Sequence, residues 1–538
     1  MKVKEKVYEI LKDLSCMEAV NDNDSLLEDL PLDSLAMVTL LVELEDALSV
    51  PLDESDMNPF DLITVGDVVR LAEKYGGDQN MRLWNFIQTR MAGHPTQTVC
   101  ENDYEISFSM LVRQTEQFAA SLSGLRCVAI LCDSALTAAK ALLACFAAEV
   151  TAVPLSKRYG ELHCNKILAK ISPDAMITDE NGMLTVKKLP DPEYVEPEIH
   201  PALIMCTSGT TGDPKGAMLS EENILTNVSD IADYFDMIED DTILIARPLY
   251  HCAVLTGEFL TALIKGTRIR FYSEAFNPPM MPELICKYGI TVFCGTPTLL
   301  CLMSRFVRKE AELPLKHIAV SGECMSRDAG LRIAETFPQA KIYHVYGLTE
   351  ACPRVSYLSP ELFRQYPDRV GIPLKSVEVK VVKKNGTLAE TDEKGVLYIR
   401  GGNVMIGYYS NPDKTSEVLK NGWLYTGDIA SVNSAGLLKI HGRNDNLIIR
   451  AGMNIYPQEI EGTLKADKRV REVLAYGYTT PTGTQIGLKI AGDFTTVSEI
   501  KRLCAELLPS YQIPMKIELL QELEKSGSGK IKRGGNHA

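Results

Sequence analysis

Residues Leu203 to Gly216 read L-I-M-C-T-S-G-T-T-G-D-P-K-G. An apolar run of strand length leads into four hydroxyls (Thr207, Ser208, Thr210, Thr211), three glycines and Lys215. Glycines let backbone N–H groups approach an anion, hydroxyls donate further hydrogen bonds and a lysine adds a cation, so this is the composition of a phosphate-gripping loop. The nucleotide-hydrolase pattern G-x-x-x-x-G-K-[ST] is not met, because Pro214 precedes Lys215 and Gly216 follows it. A flexible Ser/Gly linker does not carry a buried strand directly upstream.

Outward from this stretch, from about Leu83 to Val345, short apolar runs alternate with helical patterns. R-C-V-A-I-L-C, T-A-V-P-L, T-I-L-I-A, T-R-I-R-F and I-T-V-F-C lack internal alternation, and an Ala-rich helix starts at Ser134. Such strands separated by helices predict a parallel sheet covered on both faces. Beyond Pro373, V-E-V-K-V-V and V-L-Y-I-R alternate, which predicts a smaller β-rich subdomain, and a final segment from Asn446 mixes strands and helices.

The chain has 538 residues and a net charge of −15. Residues 1 to 77 hold six basic against eighteen acidic residues and so carry −12 of that total. This is a separate acidic module, suited to basic patches of other proteins and unsuited to nucleic acid. Gly76-Gly77-Asp78-Gln79-Asn80 reads as a flexible linker. The 14 cysteines form no C-x-x-C pair and no metal-spaced cluster, which fits a reducing cytoplasm. The N-terminus lacks a secretory pattern and no apolar run is long enough to span a membrane.

Within the acidic module a helix is expected over Ser34 to Leu48, with Leu35, Val38, Leu41, Val42 and Glu45 at helical spacing. L-L-E-D-L-P-L-D-S-L places Asp33-Ser34 at its start, where a serine can act as N-cap. From D-S-L through T-V-G-D-V-V-R-L-A-E-K the module resembles an acyl or peptidyl carrier protein, with Pro31 where many carriers have Gly. The resemblance implies that Ser34 carries 4′-phosphopantetheine, attached by a phosphopantetheinyl transferase.

Residues 82 to 533 resemble the adenylate-forming superfamily: acyl- and aryl-CoA ligases, luciferases and the adenylation domains of nonribosomal peptide synthetases. The first loop looks like its signature, which assigns Thr207, Ser208, Gly209, Thr210, Thr211, Gly212 and Lys215 to ATP. Tyr346-Gly347-Leu348-Thr349-Glu350 is similar to its Y-G-x-T-E motif. That similarity implies adenine stacking by Tyr346, an α-phosphate contact from Thr349 and Mg²⁺ binding by Glu350, and pyrophosphate leaves well only when its charge is neutralised in this way. His344 departs from the Asn that many relatives have. Gly322 and Glu323 fall where relatives approach adenine. Asp428 of L-Y-T-G-D and Arg443 are implied as ribose ligands, Asp445 as a hinge and Gly452 as part of the thiol's tunnel. S-G-S-G-K-I-K-R resembles the catalytic-lysine motif, with Lys530 stabilising charge that builds between carboxylate and α-phosphate.

Arg247-Pro248-Leu249-Tyr250-His251 resembles the P-L-[FY]-H segment of acyl- and aryl-acid ligases, and His251 joins the catalytic candidates. The amino-acid-activating domains have an Asp there for the substrate's α-ammonium, a counter-charge that burial requires.

The expected chain therefore has a helical carrier bundle (1–77), a large α/β adenylation domain with a β-rich subdomain (82–444) and a small α+β lid (445–538). Its expected activity is ATP- and Mg²⁺-dependent activation of a fatty or aryl acid and transfer to a phosphopantetheine thiol, the carrier's own being nearest on the chain. Downstream partners are then carrier-dependent enzymes of a fatty-acid, polyketide or nonribosomal peptide pathway. The alternatives are an acid:CoA ligase or an amino-acid-activating domain whose carrier serves another enzyme, and a non-catalytic carrier scaffold.

Overall fold

A computed structural model describes residues 3–15, 17, 19–48, 52, 58, 62–76, 82–157, 161–180, 182–208, 214–274, 276–308, 312–446, 448–450, 453–480, 483–525 and 531–532. The chain forms two compact units, Met1–Phe86 and Ile87–Ala538.

In the first unit, the helices Val3–Ser15, Ser34–Leu48 and Val65–Gly76 enclose a core that includes Val7, Leu11, Met37, Leu40, Leu44 and Val68. The middle helix has the expected bounds, and of the apolar residues named at helical spacing only Leu41 is buried. Met37, Leu40, Leu41 and Leu44 are buried, whereas Leu35, Val38 and Val42 are 74%, 49% and 48% exposed. Apolar residues occupy more than half of this helix's circumference, so spacing alone does not choose the face; packing against the other two helices does. The N-cap is Asp33: its Oδ1 accepts from the Ala36 N–H at 2.8 Å and its carbonyl from the Met37 N–H at 2.9 Å. Ser34 is the first helical residue.

The larger unit holds two large sheets among its described residues where one was expected. The first runs Ile372–Pro373, Arg354–Leu358, Lys341–Gly347, His317–Val320, Val292–Gly295, Thr242–Ile245, Arg268–Phe271, Thr98–Glu101, Tyr104–Ser107. Its middle six strands are parallel and its edge strands antiparallel. The second runs Gly407–Tyr408, Pro214–Leu219, Leu203–Ser208, Thr151–Pro154, Cys127–Ile130, Ala175–Glu180, Met183–Lys188. Cys127–Ile130, Thr151–Pro154, Thr242–Ile245, Val292–Gly295 and His317–Val320 are buried throughout, as strands covered on both faces must be. Sequence runs of this kind identify such strands without saying which sheet each joins.

Glu101 links the two sheets. From the end of its strand in the first, its carboxylate accepts from the Ala135 and Leu136 N–H groups at 3.0 Å each, at the start of the helix Ala135–Ala148 that connects two strands of the second. Ser134 caps the same helix through the Thr137 N–H.

Leu203–Ser208 and Pro214–Leu219 pair antiparallel, with Thr207 opposite Lys215 and Ser208 opposite Pro214. The glycine-rich stretch therefore joins strand to strand. Further on, Val377–Val382, Gly395–Gly401, Leu419–Lys420, Trp423–Val432 and Leu438–Arg443 make the β-rich sheet. Val470–Thr480, Gly483–Gly492 and Lys516–Leu520 form a last sheet that shares a core with the helices Pro457–Lys465 and Val497–Leu507.

Asp33→Ala should cost the first unit about 1 kcal/mol, the usual worth of an N-cap. Amide hydrogen exchange within Ser34–Leu48 should accelerate accordingly, while exchange in the larger unit stays as in the parent protein.

Candidate active site

Two clusters of side chains carry the site. The first lies where the strand Lys341–Gly347 ends. The Tyr346 phenol donates to Asp428 Oδ2 at 2.5 Å, and Arg443 Nη1 lies 3.5 Å from Asp428 Oδ1 while donating to the Thr426 carbonyl at 3.0 Å. Asp428 and Arg443 meet because they are directly opposed in the antiparallel pair Trp423–Val432 and Leu438–Arg443. Gly427 has φ +73°, a conformation that favours glycine, and a Cβ there would stand 2.9 Å from Arg443 Nη2, which would have to give way. Burial, and then the charge of Asp428, push the Tyr346 phenol well up, which keeps it a donor.

The second cluster centres on Glu350, in the short turn Thr349–Ala351. Its Oε1 accepts from the Tyr408 phenol at 2.8 Å, and among the described residues its carboxylate has no other hydrogen-bond partner. Lys215 Nζ lies 5.7 Å from the centroid of the Tyr408 ring. Burial lowers the Lys215 pKa and Lys414 lowers it further, with Glu350 acting the other way. Arg443 also bears electrostatically on Lys215 and Tyr408, so the clusters share one electrostatic neighbourhood.

Buried asparagines hold the turn. Asn227 exchanges two hydrogen bonds with the Arg354 backbone, at 2.8 and 3.1 Å, and Asn403 Nδ2 donates to the Ala351 and Arg354 carbonyls at 3.0 and 2.8 Å. A Cβ at Gly347 would lie 2.0 Å from the Pro353 carbonyl oxygen, which explains the glycine after Tyr346.

Other sequence candidates sit elsewhere. Glu323, beside Gly322, accepts from Thr298 Oγ1 at 2.6 Å and so lies at the start of the helix Pro297–Ser304. Tyr250 and His251 have ring centroids 4.3 Å apart, and Arg247 to Tyr250 form one wall of a cavity of about 120 Å³. Gly209, Thr210, Thr211, Gly212, Gly452 and Lys530 lie outside the described residues, as do the side chains of Ser34, Thr207, Ser208 and Asp445. Flanking Lys530, Lys525 and Ile531 form an antiparallel bridge.

Residues 87–409 match the family described as AMP-binding enzyme. The chain belongs to the AMP-binding enzyme family. Residues 5–72 match the phosphopantetheine attachment site family. A feruloyl-CoA synthase from an Amycolatopsis species is 29% identical over 489 residues, covering 85% of this chain and 98% of that protein. A long-chain-fatty-acid–CoA ligase of Escherichia coli O157:H7 is 31% identical over 63% of this chain, and the match spans only 62% of that relative's length. Among solved structures, Bacillus subtilis o-succinylbenzoate CoA synthetase in complex with its acyl-adenylate intermediate aligns with a TM-score of 0.73 at 25% identity, covering 83% of this chain and 96% of its own. ATP-bound MatB from Rhodopseudomonas palustris shares the fold, with a TM-score of 0.74 at 22% identity over 84% and 97% of the two chains.

Two features of this AMP-binding enzyme escaped the sequence reading. Tyr408 stands among the residues Met405-Ile406-Gly407-Tyr408-Tyr409, where nothing local marks it. Glu258 is fully buried and ion-paired with Arg247, whose Nη1 also donates to Ser321 Oγ at 3.3 Å. A lone acid within C-A-V-L-T-G-E-F-L-T-A-L was the available signal.

The site strands carry two buried histidines. Burial pushes His344 down to about 4 and His441 to about 3. Between those values and the unfolded 6.5 the unfolded chain binds more protons, so stability is full above pH 6.5 and falls as pH drops toward 4. The urea midpoint should therefore fall from pH 7 to pH 5. His344→Asn should flatten that slope, each pKa unit being about 1.4 kcal/mol.

Proposed function

We propose that the chain is an ATP-dependent acid–thiol ligase that activates a carboxylic acid as its acyl-adenylate and passes the acyl group to a phosphopantetheine thiol, that of its own N-terminal unit. The observation that carries this reading is the pairing of Asp428 with Arg443 beside Tyr346, in the same electrostatic neighbourhood as Lys215 and Glu350, on a chain that also matches an attachment-site family.

Glu350 suits a magnesium ion held chiefly by nucleotide phosphates. It offers an oxygen without a described partner, and among the described residues no three Asp, Glu, His or Cys gather as a ready-made metal cage. Mg²⁺ bound there supplies charge neutralisation for the departing pyrophosphate. Asp428 accepts from the ribose hydroxyls, oriented by Tyr346 and Arg443. Lys215, with the hydroxyls and glycines of 207–212, holds the outer phosphates, and Thr349 meets the α-phosphate.

In the first step an acid oxygen attacks the α-phosphorus as the bond to pyrophosphate breaks, and Lys530 stabilises the charge that builds. In the second the 445–538 segment turns about Asp445, and the thiol sulfur, reaching the site past Gly452, attacks the acyl carbon as AMP leaves. The prosthetic group on Ser34 supplies that thiol. Making a mixed anhydride first turns a poor acylating agent into a good one. The acid's apolar body fits beside Pro248, Leu249 and Tyr250, with His251 following. Arg247 balances the charge of Glu258, which leaves that carboxylate unsuited to an α-ammonium.

A second reading, transfer to free CoA with the N-terminal unit serving another enzyme, is favoured by the relatives' names. ATP–pyrophosphate exchange over fatty, aryl and amino acids tests the activation step. Fatty or aryl acids should support it, and exchange with amino acids alone would reject the substrate class. In the phosphopantetheinylated protein the Ser34 arm should gain the acyl mass, and Ser34→Ala should keep exchange while losing that label. Efficient conversion of CoA with no acylated arm would select the second reading.

Lys530→Ala should abolish acyl-adenylate formation and spare thioester formation from supplied acyl-adenylate. Equal loss of both half-reactions would remove the role given to Lys530.

A further inference from the structure

We propose that Tyr408 is a positioning residue for the metal-binding carboxylate, its phenol holding one oxygen of Glu350 so that the other faces the divalent cation on the nucleotide. The inference rests on the ligase reading and extends it to a residue that no sequence motif singled out.

One segment grips Glu350 at two points. The Met405 N–H donates to the Glu350 carbonyl at 2.9 Å, and three residues later the Tyr408 phenol donates to its carboxylate at 2.8 Å. That segment is itself fixed on both sides. Ile406 and Tyr409 donate to the Met218 and Gly216 carbonyls at 2.9 and 2.8 Å, and Gly407 and Tyr408 pair with Met218 and Ala217. Thr415 Oγ1 accepts from the Tyr408 N–H at 2.9 Å. The phenol therefore approaches Glu350 from a direction set by the strand that carries Lys215.

The ring has a second effect. Lys215 and Glu350 are opposite charges on neighbouring segments, and an ion pair between them would withdraw both from the phosphates and the metal. Tyr408 gives the carboxylate a neutral donor and the ammonium an aromatic face, so each keeps its charge for the ligand. Carboxylates that bind metals depend on such partners, whose loss typically weakens metal affinity by roughly tenfold or more.

The test uses the full-length protein and calorimetric titration of ATP at graded Mg²⁺, with no acid present so that nothing turns over. Tyr408→Phe, which keeps the ring, should raise the half-saturating Mg²⁺ concentration roughly tenfold and leave metal-free ATP binding unchanged. In the Glu350→Gln background the same substitution should add no further shift. Tyr409→Phe, whose hydroxyl meets the Val195 N–H and the Ile171 carbonyl, should leave the Mg²⁺ requirement unmoved. A Tyr408→Phe protein with the parent's Mg²⁺ requirement overturns the inference alone, as does a loss that is equal with and without metal or additive with Glu350→Gln. A parent protein that binds no Mg·ATP overturns both the inference and the ligase reading.

Discussion

Two fully buried asparagine side chains set the position of the turn that carries Glu350. After Tyr346 the strand register breaks, and the backbone between Gly347 and Arg354 loses regular strand partners. Asn227 and Asn403 supply them. A buried amide is costly unless its hydrogen bonds are made, and here both amide groups of Asn227 and the Nδ2 of Asn403 bond the main chain that must be held. With the turn fixed, Glu350 emerges at a set height beside the end of the Tyr346 strand. Asn403 also anchors the start of the segment that delivers Tyr408.

The carboxylates of this region differ in partner, and the partner decides what each can do. Asp428 lies between a phenol and a guanidinium, which fixes its oxygens as acceptors of defined direction. Glu258 is buried against Arg247, and the pair together has no net charge to offer. Glu350 accepts from a neutral phenol, and among the described residues its second oxygen has no hydrogen-bond partner. Three acids on neighbouring elements thus acquire three chemical characters from their surroundings.

Local chemistry was legible in the sequence, and long-range pairing was not. The strand ahead of the glycine-rich stretch and the ends of the helix Ser34–Leu48 were plain, as were four of the five runs read as lacking alternation. Arg268–Phe271, by contrast, alternates between exposed or half-buried arginines and buried Ile269 and Phe271. That Asp428 and Arg443 stand opposite one another is a matter of register between two strands, and two separate motifs do not reveal it. Division of the strands between two sheets escaped for the same reason. Helical spacing in Ser34–Leu48 did not single out the buried face, because apolar residues surround most of that helix. Tyr408 was invisible because its significance comes from Glu350, fifty-eight residues away.

The cap on the helix Ser34–Leu48 has a consequence for traffic through the N-terminal unit. Asp33, and not the serine beside it, supplies the side-chain cap of this helix, through the Ala36 N–H. A phosphodiester added at Ser34 would meet the positive end of the helix dipole, which favours an anion there. Holding the helix and offering an attachment point thus fall to adjacent residues, Asp33 and Ser34.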